Sequence, residues 1–418
     1  PLRSKPFAPW PVFDDRAVEA VADVLRSGRL TYWAGPHGRE LERVYAEALG
    51  RTHAVAVANG TLALELALRA FEIGPGDEVI VPARTFIATA SAVVAVGATP
   101  VVADIDPYSG CLTTDTVVAV LTERTRAVIP VHLGGWPADL DPLLDLARSR
   151  DLVVIEDCAQ AHGATYRGSQ VGSPGSHAAT FSFCQDKIVS AGEGGLLVLD
   201  DDAAYERAWS YKDHGKALAT LDQEPSPPGA GSAFAWHVER FGSNWRMPEV
   251  AAVLVARGLG QLPEWLEARR HNASRLSLGL GGTNGLIVPR PPDSLGHAYY
   301  RLYAFLEPDA LAPGWDRDRV AAAIAAEGVP CSYGSCAEIY REGAFVSAGL
   351  GPDGRLPGAA HAHETSLAFL VHPTLGERDM DDTAEAVSRV LEVAARCGGR
   401  VFSRASGPPG ASGTPRSS

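Results

Sequence analysis

The chain has 418 residues, 46% of them hydrophobic, enough for one large domain and a smaller one with apolar cores of their own. A formal net charge of -13 and no clustered Lys/Arg face argue against nucleic acid and anionic membranes as partners and point to a small-molecule ligand. The six cysteines form no CxxC pair, and neither a run of about 18 apolar residues nor a basic-then-apolar leader occurs, so the expected setting is the reducing cytoplasm.

Taken in order, Arg16 to Ser27 has the spacing of an amphipathic helix with Val18, Val21, Val24 and Leu25 on one face, and Gly28 stops it. A second helix, Glu40 to Leu49, turns Leu41, Val44, Tyr45 and Leu49 inward. The strand Ala54 to Ala58 then runs into Asn59-Gly60-Thr61, which opens a helix to about Ala70; backbone N–H groups at such a start make an anion site. Strands and helices alternate from there: strand Glu78 to Pro82, helix Thr85 to Val96, strand Pro100 to Ala103, helix Thr114 to Leu121, strand Arg126 to Val131, helix Leu140 to Ser149, strand Leu152 to Glu156. The pattern predicts an α/β fold with a mostly parallel sheet and ligand residues at the carboxyl ends of its strands. Glu224 to Gly231 reads as an exposed loop, and Pro248 opens a long helix to about Arg270. That helix bridges from a large domain, residues 1–250, to a smaller α+β domain, 251–402. The smaller domain is expected to hold strand Tyr299 to Leu306 and helices Asp316 to Glu327 and Asp381 to Arg396. Residues 403–418 are Ser/Gly/Pro-rich and read as a disordered tail.

The chemistry centres on Lys187. Two apolar runs, Ala178 to Phe183 and Gly195 to Leu199, bracket it and place it in a loop at a sheet edge. Only four of the 37 basic residues are lysines, and an amine that must lose its proton is one role arginine cannot fill. Lys187 therefore reads either as a Schiff-base amine or as an ordinary surface lysine. Val153 to Asp157 ends a buried strand in two acids, which are either solvated or, with pyridoxal phosphate, a partner for the pyridine nitrogen; a carboxylate there keeps that nitrogen protonated. On the second reading Asp157 meets the nitrogen and Gln160 the ring hydroxyl. Gly60, Thr61 and the Ser182 hydroxyl then take the phosphate. Phe86 either stacks on the ring or is a core aromatic. Gly279 to Asn284 resembles half a dinucleotide fingerprint, but it follows a helix and lacks the last glycine, so it reads as a loop. His132, His361 and His363 lack a metal-site context, and no Gly-x-Ser-x-Gly elbow occurs.

Five spaced stretches, namely Asn59-Gly-Thr61, Thr85-Phe86, Glu156 to Gly163, Ser182 to Lys187 with Gly192 to Gly195, and Gly242-Ser-Asn244 to Met247, together resemble the DegT/DnrJ/EryC1/StrS sugar aminotransferases over roughly residues 10 to 395. The resemblance implies an aspartate aminotransferase-like fold of PLP fold type I. It also implies a homodimer with shared active sites, and transfer of an amino group from glutamate or glutamine to a keto-sugar or cyclitol. Carried over by position, Lys187 holds the cofactor and shuttles the proton, while Asp157, Gln160, Phe86, Gly60, Thr61 and Ser182 keep the roles above. Asn244 reaches the partner subunit's phosphate. His214, followed by Gly215, is a substrate candidate or an exposed loop histidine. Where many members have Pro-Thr before the lysine, this chain has Gln185-Asp186, as in a branch with perosamine, cyclitol and aminohydroxybenzoate-forming enzymes. The first expectation is a nucleotide-activated keto-sugar as acceptor, in antibiotic or surface-polysaccharide biosynthesis. A keto-cyclitol aminotransferase is the second, and a dehydratase of the aminohydroxybenzoate synthase type the third. A pyridoxal-binding regulator would need a DNA-binding module that the N-terminal stretch has no room for.

Overall fold

A computed structural model of the chain describes residues 1–219, 238 and 240–395. Helices α1 (Asp15–Ser27) and α2 (His37–Leu49) both end at left-handed glycines, Gly28 at φ 68° and Gly50 at φ 70°, where a side chain would strain the backbone. Pro36 offers α2 no capping side chain. The buried Glu249 carboxylate supplies the cap instead, accepting the N–H of His37 at 2.6 Å and of Gly38 at 2.9 Å. Gly35 is what lets it in, since a Cβ there would lie 2.1 Å from Glu249.

The alternation continues through β1 (His53–Val57), α3 (Gly60–Ala70), β2 (Glu78–Pro82), α4 (Ala88–Ala95), β3 (Thr99–Ala103), α5 (Thr114–Val118), β4 (Thr125–Val128), α6 (Leu140–Arg150) and β5 (Val153–Asp157). A short hairpin, β6 (Thr165–Tyr166) and β7 (Ser169–Gln170), precedes β8 (Ala178–Ser182), β9 (Gly195–Leu199) and α7 (Asp202–Lys212). Seven strands form one sheet in the order β1-β9-β8-β5-β4-β2-β3. Every pairing is parallel except those of β9, which runs against both β1 and β8. Helices cover both faces, so the strands are near-continuous apolar runs rather than alternating ones. The reversal of β9 sets the site. Its first residue, Gly195, pairs with Val57 and with Ser182, bringing the chain after β1, the end of β8 and the start of β9 to one edge.

From there α8 (Glu249–Leu280) leads to β10 (Leu286–Ile287), β11 (Leu295–Gly296), β12 (Leu302–Leu306), α9 (Arg317–Ala326), β13 (Cys331–Ser332), α10 (Gly343–Ala348), α11 (Pro357–Thr365), β14 (Ser366–Phe369) and α12 (Glu377–Ala394). A four-stranded antiparallel sheet, β10-β12-β14-β13, packs with α8, α9 and α12 around Leu276, Ile324, Phe369 and Val387. We propose that α8 joins the two domains expected to divide at residue 250. The first residues of the chain lie with the second of these. Arg3 N donates to Glu327 O, its guanidinium pairs with Asp379 and Asp382, and Leu2 and Phe7 pack on that core.

Several local expectations shift. Val18, Leu25 and Val44, read as inward-facing, are exposed, because periodicity marks a stripe and tertiary packing covers only part of it. Helix α4 starts at Ala88 rather than Thr85, and the strand expected from Tyr299 starts at Leu302 after an irregular turn with Tyr299 at φ 48°. The loop read at Glu224 to Gly231, the end of the last helix at Arg396 and the tail 403–418 fall outside the described residues.

Candidate active site

The edge defined by β1, β9, β8 and β5 opens into a cavity of about 850 Å³. Gly60, Thr61, Phe86, Asp157, Gln160, Ser182 and Lys187, the first five of them far apart in sequence from Lys187, all line it. Asp157 is the last residue of β5. Its carboxylate accepts from Thr89 Oγ1 at 3.0 Å and from Ala159 N at 3.1 Å, and Thr85 Oγ1 backs Thr89 at 2.8 Å. Burial pushes the Asp157 carboxyl above its ordinary range, against the smaller opposing pull of these donors, Lys187 and His132. A buried carboxylate in that condition is a good partner for a cation in the cavity, and a protonated pyridine nitrogen is such a cation.

Glu156, one residue earlier, points to the other face of the strand. It accepts from His132 Nε2 at 2.9 Å, from Gly172 N at 3.0 Å and from the Ser176 hydroxyl, and these bonds hold its carboxyl below the usual range although burial opposes them. His132, Glu156 and Cys158 have ligand-type atoms within 4.8 Å of one another. Both imidazole nitrogens of His132 are engaged there, Nε2 by Glu156 and Nδ1 by the Ala138 N–H at 3.0 Å, so the trio reads as a brace under Asp157.

The start of α3 forms an anion cradle. Asn59 caps it, its side chain taking the Leu62 N–H at 3.0 Å and its carbonyl that of Ala63 at 3.2 Å, which leaves Gly60 and Thr61 for a ligand. Gly60 sits against Ser182, where a Cβ would come within 2.6 Å of the serine Cβ, so the hydroxyl and the helix start converge. Behind Ser182, His162 donates from Nε2 to the Ser182 carbonyl at 2.9 Å and lies between Phe181 and Phe183; burial pushes it down to about 4, so it stays neutral. These groups suit a phosphorylated pyridine aldehyde: a cradle for the phosphate, a carboxylate for the ring nitrogen and an amine for the aldehyde. Phe86 is 65% exposed and lines the cavity, so it is free to cover a ring and is not a core aromatic. The Gln160 amide is already committed in part, accepting from Gly134 N at 2.7 Å and donating to Ser335 Oγ at 3.1 Å.

Lys187 is fixed through its backbone: its N–H donates to Cys184 O at 3.0 Å and its carbonyl accepts from Trp10 Nε1 at 2.9 Å. Its amine lies 5.1 Å from the centre of the Tyr300 ring. Tyr300 and Arg301 line the cavity more than a hundred residues after Lys187, and sequence reasoning missed both, with Thr89 and Ser335. Thr89 lay inside the helix expected from Thr85, four residues on and so on the same expected face, which was the available signal. Tyr300 and Arg301 had none: they fell inside the strand expected from Tyr299, and nothing local to them marks a cavity residue.

Two predicted residues do not join the cavity of their own chain. Asn244 and His214 lie together on a neighbouring pair of loops, where Asp213 and Asn244 bridge and His214 N donates to Ser243 O at 2.8 Å; His214 is exposed.

A seven-stranded sheet with β9 reversed, a lysine at its edge and a carboxylate facing that lysine's cavity are the features of a pyridoxal-phosphate enzyme of fold type I. The chain belongs to the DegT/DnrJ/EryC1/StrS aminotransferase family, which it matches over residues 11–388, and its cofactor is pyridoxal 5′-phosphate. It is 36% identical to the L-glutamine:2-deoxy-scyllo-inosose aminotransferase of Streptomyces kanamyceticus, over 94% of this chain and 95% of that one. It is 32% identical to the spore coat polysaccharide biosynthesis protein SpsC of Bacillus subtilis, over 92% and 97%. Among solved structures, an aminotransferase from Psychrobacter cryohalolentis superposes with a TM-score of 0.88 at 44% identity, covering 93% of this chain and all of that one.

Proposed function

We propose that this aminotransferase moves an amino group from glutamine or glutamate to a ketone on a polyhydroxylated ring, as a step in antibiotic or surface-polysaccharide biosynthesis. The observation that carries the reading is the pairing of Lys187 with Asp157 in one cavity above the Gly60–Thr61–Ser182 cradle. When bound, the cofactor supplies an electron sink between donor and acceptor. Lys187 Nζ holds it covalently and then carries the proton to and from the reacting carbon. Asp157 keeps the pyridine nitrogen protonated, Thr89 and Ala159 N–H aim that carboxylate, and Phe86 covers the ring. Gly60, Thr61 and Ser182 bind the phosphate, and Asn244 of a second subunit completes that shell, so the working species is a homodimer. His214 stands beside Asn244 as a substrate candidate for the partner's cavity. No helix among the described residues is long and apolar enough to cross a membrane, and dispersed thiols support a cytoplasmic setting.

A keto-sugar is the first acceptor reading. A keto-cyclitol is the second, and the cavity charge favours it: besides Lys187 and Asp157, the described lining residues offer one cation, Arg301, against Asp186 and Glu193, a poor match for a nucleotide diphosphate. The names of relatives such as the Streptomyces kanamyceticus enzyme point the same way. The test incubates holoenzyme with L-glutamine or L-glutamate and a panel of keto-cyclitols and nucleotide-linked keto-sugars. The donor's 2-oxo acid should appear in step with an aminated product. Acceptor lost through water elimination, with no 2-oxo acid, would sink amino transfer in favour of dehydration.

A further inference from the structure

We propose that Arg301 receives the α-carboxylate of the amino donor, and that Asp186 is its replaceable counter-charge when no donor is bound; this rests on the aminotransferase reading above. Arg301 stands where two spaces meet. With Asp186 it lines both the main cavity and an adjoining one of about 550 Å³ bounded by Trp10 and His372, so its guanidinium is reachable without displacing packed residues. Its Nη2 lies 3.6 Å from Asp186 Oδ2, too far for a hydrogen bond, and the same carboxylate oxygen accepts a hydrogen bond from the Tyr300 hydroxyl instead. Of its five N–H donors, one is given to Tyr300 O at 3.2 Å. A planar fork therefore remains for a carboxylate.

The backbone is built to hold this side chain beside the lysine. Ala298 N donates to Gly135 O at 2.9 Å and Arg301 N to Gly134 O at 3.3 Å, while Gly134 N is tied to Gln160 at 2.7 Å. Between these anchors Tyr299 adopts φ 48°, a strained conformation for a bulky residue, held by the Tyr299 N–H on His297 Nδ1 at 2.7 Å and by ring stacking at 3.9 Å. Arg301 and Lys187 then lie around a single ring, that of Tyr300, at 4.5 and 5.1 Å from its centre. The departure at Gln185-Asp186 thus has a use. One cavity must accept an amino acid, which brings a negative charge, and afterwards an acceptor that, as a cyclitol, brings none. A bare cation in a half-buried wall suits only the first, whereas a cation with an exchangeable acid beside it suits both.

The test follows the two half-reactions of holoenzyme separately by the absorbance of the cofactor. The donors are L-glutamine and 4-aminobutanamide, its counterpart without the α-carboxylate, and the acceptor is 2-deoxy-scyllo-inosose. Arg301→Gln should raise KM for L-glutamine about 10- to 100-fold, while the 4-aminobutanamide and acceptor rates stay within about 3-fold. Arg301→Lys should fall between. Asp186→Asn should lower KM for L-glutamine, because the competing carboxylate is gone; a merely structural role predicts the opposite sign. Equal losses for both amines in Arg301→Gln, a loss confined to the acceptor half, or weaker glutamine binding in Asp186→Asn would each overturn the proposal. Failure of the reading beneath it is separate: there the unmutated holoenzyme takes no amino group from any donor.

Discussion

The sheet edge that carries Lys187 and the loop pair that carries Asn244 are both well held, yet only the first makes a cavity within one chain. At the sheet edge, hydrogen bonding between β1, β9, β8 and β5 forces Gly60, Ser182 and Asp157 together. The loop pair is laced by other means. Buried Asp213 accepts from Trp33 Nε1 at 2.8 Å and Arg246 Nη1 at 2.7 Å, with Lys216 Nζ at 3.2 Å, and Ser243 N donates to Tyr211 O at 2.7 Å. Gly215 is required there, since a Cβ would lie 1.6 Å from Arg240 O. The shared site proposed above needs Asn244 to be held in place outside its own cavity, and these bonds provide that, whereas a mobile loop could fold back.

The largest effect should come from the sheet edge. Lys187→Arg keeps the charge and the fold but removes an amine able to deprotonate, so turnover should vanish and the visible absorbance of bound cofactor with it. Borohydride reduction of the unmutated protein should fix the cofactor on the Lys187 peptide; label on Lys212 or Lys216 would overturn the assignment. Asp157→Asn comes next. It should still bind cofactor through the separate phosphate cradle, yet transaminate roughly 100-fold more slowly, for about 3 kcal/mol of lost charge pairing. Rates like those of the unmutated protein would remove its part in the electron sink.

The comparison itself is tested by mixing. Lys187→Ala and Asn244→Asp should each be inactive, the second by setting a negative charge against the phosphate. A heterodimer of the two puts both lesions in one site and leaves the other whole, so up to about half of normal activity should return. Confirmed heterodimers that stay inactive, with each variant folded, would mean that the loop pair does not serve its neighbour.

The smallest effect is on stability. His162, His297 and His372 are buried, and burial pushes them down to about 4, about 3 and about 3. Their folded-state values lie below the ordinary value near 6.5, so between there and about pH 4 the unfolded chain binds more protons. Stability should be level in these groups above about pH 6.5 and fall as the pH drops below it. The melting temperature of the protein against pH measures this, and His297→Asn should flatten part of the slope. A profile that improves on acidification would show that these imidazoles are not kept neutral.

Much of the site was legible because it is built from strand ends. Strand, turn and helix starts can be read from local pattern, and in a parallel sheet their carboxyl ends must share one edge, which is why Asn59-Gly-Thr61, Asp157 and the Lys187 loop converge. Phe86 was open between core and cavity, because one aromatic in a turn has no period to place it. The mostly parallel sheet was readable as well, and the reversal of β9 was not, since an apolar strand looks the same in either direction.

What the sequence determined by itself is therefore the chemistry: a scarce lysine between two strands, an acid at the end of a third, and a small-residue helix start, each a local feature with a local cause. Tertiary structure alone decided what surrounds that chemistry. Glu249 caps a helix more than two hundred residues before it, Tyr300 and Arg301 reach Lys187 from across the chain, and Asn244 bridges to Asp213 instead of lining its own cavity. Those relations depend on how separate elements pack, and contacts between distant residues leave no period or spacing in the chain to announce them.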